Sequence, residues 1–214
     1  MTMDDLRTFL LTLPVLLMAM VLHELAHGAV AWRLGDPTAK MMGRLSLNPI
    51  RHLDRLGTAM FAVTFVAGVA LNLPGFAIGW AKPVPVVPEH FRSPQRGMAL
   101  VAAAGPLTNF LIAGLFAAIV FNVQLDGTAL DVVVLALLVN VTLFLFNLLP
   151  VPPLDGSRIV GALMDGRTYD RWLSFDRYGV AVVLAGVLIF NRQFQAILTD
   201  SSEAVVRLLH TLVG

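Results

Sequence analysis

The stretch from Thr8 to Trp32, TFLLTLPVLLMAMVLHELAHGAVAW, decides how this chain is read. It is apolar apart from His23, Glu24 and His27, and a helix of that length matches the ~30 Å hydrocarbon core of a bilayer. Ionisable groups at such depth are costly, about 2.5–3.5 kcal/mol for a charged side chain by insertion scales, and they mark functional sites. Residues four apart share one helical face, so His23 and His27 can reach one metal ion. Glu24, about 100° round the helix, can approach a water held there.

Composition extends that reading to the whole chain. Of 214 residues, 57% are apolar and 14% charged, and the mean hydropathy is +0.77, against roughly 45–50% and 25% in a soluble domain. A disordered tail is excluded, and the balance points away from an ordinary soluble fold. The net charge of +1 gives no reason to expect a nucleic-acid partner. With no cysteine in the sequence, disulfides, thiolate ligands and a cysteine nucleophile are absent, and any metal must sit on His, Asp, Glu or Asn.

Five apolar segments are expected: Thr8 to Trp32, Leu56 to Ala81, Gly97 to Leu125, Val132 to Leu154, and the short Tyr178 to Asn191. The tail from Phe194 carries Ile197, Leu198, Val205, Leu208, Leu209 and Leu212 at helical spacing, the pattern of an interfacial amphipathic helix. Asp4 and Asp5 precede the first segment where a signal peptide needs positive charge, so that segment reads as a retained helix. Arg33, Lys40, Arg44, Arg51 and Arg55 fill the first connection, and Lys82, Arg92 and Arg96 the second, whereas Asn122 to Asp131 holds Asp126 and Asp131 without a cation. By the positive-inside rule the first two connections face the cytoplasm and the third does not. The segment 56–81 then has both flanks on one side, so it is expected to dip in and return near Asn72-Leu73-Pro74-Gly75. The fold class is an all-α polytopic membrane protein of about four transmembrane helices, a re-entrant or broken segment and an amphipathic C-terminal helix. It forms one domain, residues 1–214, with a core at 8–156 and an accessory part at 157–214.

A catalytic zinc takes three protein ligands and keeps one position open. Besides Glu24, the carboxylate at the edge of a long apolar run is Asp155, after the proline-rich turn Asn147 to Leu154 and before Gly156. A solvated aspartate at a helix stop is the alternative reading of that turn. His23 lies about 22 Å along its segment, and Asp155 follows the end of the fourth. They can share a metal only if those two helices run parallel, which requires that the segment 56–81 not cross.

The motif His23-Glu24-Leu25-Ala26-His27, the stretch Ala104-Gly105-Pro106-Leu107-Thr108-Asn109 and the turn from Asn147 to Gly156 resemble, in order, the motifs of the site-2 protease family of intramembrane zinc metalloproteases. Gly79-Trp80-Ala81-Lys82-Pro83-Val84 resembles a segment of its compact bacterial branch, without PDZ or CBS modules. The resemblance implies Zn2+ held by His23, His27 and Asp155, Glu24 as general base, and Asn147 as a polar partner for the oxyanion or substrate backbone. It implies an integral protein of the bacterial inner membrane that cuts membrane-spanning or membrane-bound proteins and peptides, with its active site toward the cytoplasm. A metal-binding membrane transporter and a noncatalytic membrane scaffold are the alternatives.

Two further expectations concern the surroundings. Asn109 and Asn140, amides within long apolar runs, read as hydrogen-bond links between helices rather than as site residues. Arg44 to Leu47 and Lys82 to Pro88 are compatible with short extended strands at the membrane edge, one of them available for strand addition by a substrate, and equally with ordinary interfacial loops.

Overall fold

The computed structural model describes residues 3–70 and 79–214. Among these, nine α-helices follow one another: α1 (Met3–Arg33), α2 (Thr38–Met41), α3 (Arg55–Ala70), α4 (Pro94–Asn122), α5 (Gly127–Asn147), α6 (Asp155–Gly161), α7 (Gly166–Ser174), α8 (Asp176–Ile189) and α9 (Asn191–Val213). Three are long and apolar enough to cross a membrane: α1 from Phe9, α4 and α5. α7 and α8 together pass as a fourth, broken span bent by 60°. Leu107, Leu111 and Leu115 run down one face of α4 and are 55–63% exposed. A continuous apolar stripe of that kind needs lipid rather than water as its neighbour. The molecule is an all-α polytopic membrane protein.

The bundle is tied at both ends. At one end, Arg7 of α1 pairs with Asp131 of α5 at 2.7 Å and donates to the Thr128 hydroxyl. At the other, His23 and His27 of α1 meet Asp155, just past α5. α1 and α5 therefore run parallel, as sharing one metal demands. α4 runs antiparallel between them, with Val101 beside His27 and Asn109 beside His23.

Parallel α1 and α5 place constraints on the segment between α1 and α4. Leu53 and Ala81 form an antiparallel bridge, and the Lys82 N–H donates to the His52 carbonyl at 2.8 Å. The chain leaves this level along α3, leans on α1 through Phe61 and Phe65 against Phe9, and is back by Gly79. That return agrees with a segment that does not cross. The turn expected at Asn72 to Gly75 lies outside the described residues.

Two expectations need correction. The strands expected at Arg44 to Leu47 and Lys82 to Pro88 do not form. Pro83, Pro85 and Pro88 have no N–H for a ladder, and two of the remaining donors go to side chains: Val84 N–H to Glu24 and Val87 N–H to Asp36. The tail is an amphipathic helix, but it is packed lengthwise on the bundle instead of lying at its edge. Leu209, 2% exposed, fills a cluster with Ala113, Ala117, Leu137 and Val141. Phe194 faces Phe146 near one end of α9, while His210 faces Phe121 and Asn122 donates to the Val213 carbonyl at the other. Alanines on α4 leave a groove that accepts this apolar face closely.

Candidate metal centre

The centre is built on α1, whose last three turns carry His23, Glu24 and His27. Nε2 of His23 and Nε2 of His27 are 2.9 Å apart. Oδ2 of Asp155 lies 3.1 Å from the first and 3.4 Å from the second. Both imidazoles are buried, and Asp155 Oδ2 is buried with no hydrogen-bond donor.

The outer nitrogens decide what the inner ones can do. His27 Nδ1 faces the Val101 carbonyl at 2.7 Å, an acceptor only, so Nδ1 carries the proton and Nε2 a lone pair. His23 Nδ1 faces Asn109 Oδ1 at 2.6 Å, and here the assignment follows from a chain of amides. Asn140 Nδ2 donates to the Ala136 carbonyl at 2.8 Å, which turns Asn140 Oδ1 toward Asn109. Asn109 must then present Nδ2 to Asn140, at 2.9 Å, and Oδ1 to His23. His23 is left to donate from Nδ1, and its Nε2 also holds a lone pair.

Three lone pairs thus converge within 3.4 Å, with no proton among them in the neutral-imidazole state. Without a cation this is repulsive. Donors around a tetrahedral zinc at ~2.0–2.1 Å stand about 3.4 Å apart, so the donor set, its spacing and the orphaned Asp155 oxygen fit Zn2+. Each histidine also has the outer hydrogen bond that metal-ligating imidazoles need for orientation.

Local sequence explains the fit. A Cβ on Gly105 would lie 2.5 Å from His23 Nε2 and from His27 Cε1, so only glycine lets α4 approach the two rings. A Cβ on Gly156 would lie 2.2 Å from the Leu148 carbonyl oxygen, and its absence lets the proline turn close and set Asp155 at the start of α6. Glu24 stands beside the cluster, half-buried, with Oε2 accepting the Val84 N–H at 2.9 Å.

The structure brings together His23, His27 and Asp155, with Glu24 beside them. It does not bring Asn147 into hydrogen-bond contact with them. Its Nδ2 donates to the Leu143 carbonyl of its own helix at 2.9 Å. Asn109 and Asn140 link helices as expected, and that link also fixes the His23 imidazole. The signal was available in sequence, since Asn109 sits four residues after Gly105, as one turn of α4 requires of residues facing the same rings.

Comparison with known proteins points to zinc as well. A family model described as peptidase family M50 matches residues 123–190, a span that includes Asn147 and Asp155. The Bacillus subtilis (strain 168) protein named "Putative zinc metalloprotease YwhC" is 39% identical over 178 residues, covering 79% of this chain and 76% of the relative. "Putative zinc metalloprotease Rip2" of Mycolicibacterium smegmatis is 28% identical over 190 residues, covering 87% of this chain and 70% of the relative. Its namesake in Mycobacterium tuberculosis (strain ATCC 25618 / H37Rv) is 32% identical over 151 residues, covering 69% and 55%. No solved structure matches the chain.

Proposed function

The chain belongs to peptidase family M50, the site-2 proteases, and as a zinc metalloprotease of that family we propose that it hydrolyses peptide bonds of membrane-spanning or membrane-bound substrates, at a site within the bilayer near the cytoplasmic face of a bacterial inner membrane. The observation that carries this reading is the convergence of the three lone pairs of His23, His27 and Asp155 beside Glu24. Depth supports it: His23 is about 24 Å along α1 from Arg7 and about 15 Å from Arg33 at the helix end. The cationic connections at the site end support the cytoplasmic side. Single-domain organisation, with residues 8–156 as core and 157–214 as accessory, belongs to the same proposal.

In this reading His23, His27 and Asp155 hold the zinc. A zinc ion held there would supply Lewis-acid chemistry, polarising the scissile carbonyl and making water acidic enough for a carboxylate to deprotonate. Glu24 takes the proton of the attacking water and returns it to the leaving amide nitrogen. Asn109 and the Val101 carbonyl hold the imidazoles in the ligating tautomer. Asn147, at the end of the helix that delivers Asp155, is assigned as a donor to the substrate carbonyl or backbone after turning from Leu143.

The test is cleavage of a labelled single-span substrate by purified protein in lipid, with zinc content measured alongside. Glu24→Gln is expected to keep zinc and lose turnover by about 1,000-fold or more, in the range for a positioned base acting with its metal. Asp155→Ala is expected to lose zinc itself. Turnover at the wild-type rate in Glu24→Gln overturns the reading.

A further inference from the structure

Glu24 does not stand free. Its Oε2 accepts the backbone N–H of Val84, 60 residues away in sequence. Val84 is 8% exposed and sits in Pro83-Val84-Pro85. The flanking prolines have no N–H, so this tripeptide offers one backbone donor, and that donor is aimed at the catalytic carboxylate.

The stretch around it is anchored on both sides. The Lys82 N–H donates to the His52 carbonyl at 2.8 Å. Buried Arg44 donates from Nη2 to the Lys82 carbonyl at 2.6 Å and to the Pro83 carbonyl at 3.3 Å. Val87 N–H donates to fully buried Asp36 at 2.7 Å. Segment 82–87 is thus a strap whose backbone position is fixed independently of Glu24, and the Val84 N–H is a rigid donor rather than one that follows the carboxylate.

We propose that Val84 is a positioning residue for the hydrolytic reaction, its backbone N–H holding one oxygen of Glu24 so that the other is directed at the attacking water. The proposal rests on Glu24 being the general base. A glutamate side chain has three rotatable bonds, and a misplacement of ~1 Å at a reacting group costs up to about 100-fold in rate. A single fixed charge-assisted hydrogen bond removes most of that freedom. The protein supplies it from the backbone, where no side-chain motion can withdraw it.

Two variants delete the N–H. Val84→Pro extends the existing run of prolines, and incorporation of the α-hydroxy analogue of valine at 84 replaces only the amide by an ester, which guards against misfolding of the first. Val84→Ala keeps the N–H and reports the contribution of the side chain. Both N–H deletions are expected to lower kcat about 10- to 100-fold, with KM and zinc affinity within a few-fold of wild type, and to exceed the Val84→Ala loss by about tenfold. In a Glu24→Asp background, where the shortened side chain cannot serve both Val84 and the water, deleting the N–H is expected to cost little more. Hydrogen exchange gives a readout independent of turnover. The stretch Pro83 to Pro88 has three exchangeable amides, at Val84, Val86 and Val87, and Glu24→Ala is expected to release protection of one.

Where Glu24→Gln abolishes cleavage, an N–H deletion with the kcat of Val84→Ala overturns the positioning role and leaves the base assignment intact. A raised kcat overturns it too, since the strap would then be an obstruction. So does exchange at Val84 that is unchanged by Glu24→Ala.

Discussion

At the scale of single residues, the ordering of the site begins with a carbonyl far from the metal position. The Ala136 carbonyl turns Asn140, Asn140 turns Asn109, and Asn109 sets which nitrogen of His23 carries its proton. Asn109 and Asn140 are 0% and 2% exposed, so each depends on the other and on its protein partners for its hydrogen bonds. Asn109→Ala is expected to weaken zinc binding about 10- to 100-fold, the usual cost of removing an outer partner of a ligating histidine. Asn140→Ala should lose less, since Asn109 keeps its bond to His23. Chelator competition on purified protein measures both, and unchanged affinity in Asn109→Ala contradicts the tautomer argument. The cluster of His23, Glu24 and His27 stands out in sequence, because ionisable groups within an apolar helix cost too much to be kept for packing alone, whereas spacing alone leaves Asp155 open to a solvated helix-stop reading and only the contact with the two imidazoles brings it to them. The partnership of Asn109 with Asn140 was not legible, since nothing in either segment records that the two amides meet. Val84 was still less visible, because a backbone donor has no side-chain signature beyond the prolines that isolate it.

At the scale of elements, close approach does what propensity cannot. α4 reaches both imidazoles only because residue 105 lacks a Cβ. Gly105→Ala is expected to leave the helical fold intact by circular dichroism while zinc affinity falls about 100-fold or more, because ligands displaced beyond about 0.5 Å no longer share an ion. Retained affinity would show that α4 can retreat. The strap 82–87 failed as a strand for a reason local spacing hides: alternating prolines mimic the period of a strand while removing the donors a strand needs. Its anchor, Asp36, has its carboxyl at about 2, below the ordinary 3.8. Burial alone would raise it, but the donors from Thr38, Val87 and His90 outweigh burial. A depressed folded-state pKa means the stabilisation is full above about 4 and is lost as pH falls toward about 2. The melting-temperature difference between wild type and Asp36→Asn should accordingly be constant above about pH 5 and shrink between about 4 and 2. A difference that grows on acidification refutes this. For α9, Leu209→Ala is expected to destabilise by about 2 kcal/mol or more, and Leu212→Ala, at an exposed position, by far less. Equal effects would mean that α9 is not packed on α4 and α5.

At the scale of the whole molecule, the decisive fact is direction. α1 and α5 run parallel, tied by Arg7 to Asp131 at one end and by the histidines to Asp155 at the other, and this needs a segment between α1 and α4 that ends on the side where it began. Charge asymmetry in the connections makes that topology legible in the sequence. The lengthwise packing of α9 was not legible, since one amphipathic pattern serves an interface and a bundle groove equally well. The proposed chemistry depends on one zinc shared by residues far apart in sequence, with His27 and Asp155 separated by 128 positions. X-ray absorption at the zinc edge, on wild type and on Asp155→Ala, tests this most directly. The expected result is two imidazole nitrogens and at least one oxygen at about 2.0–2.1 Å in wild type, with zinc lost from Asp155→Ala under mild chelation. Full zinc occupancy with an unchanged spectrum in Asp155→Ala would contradict it.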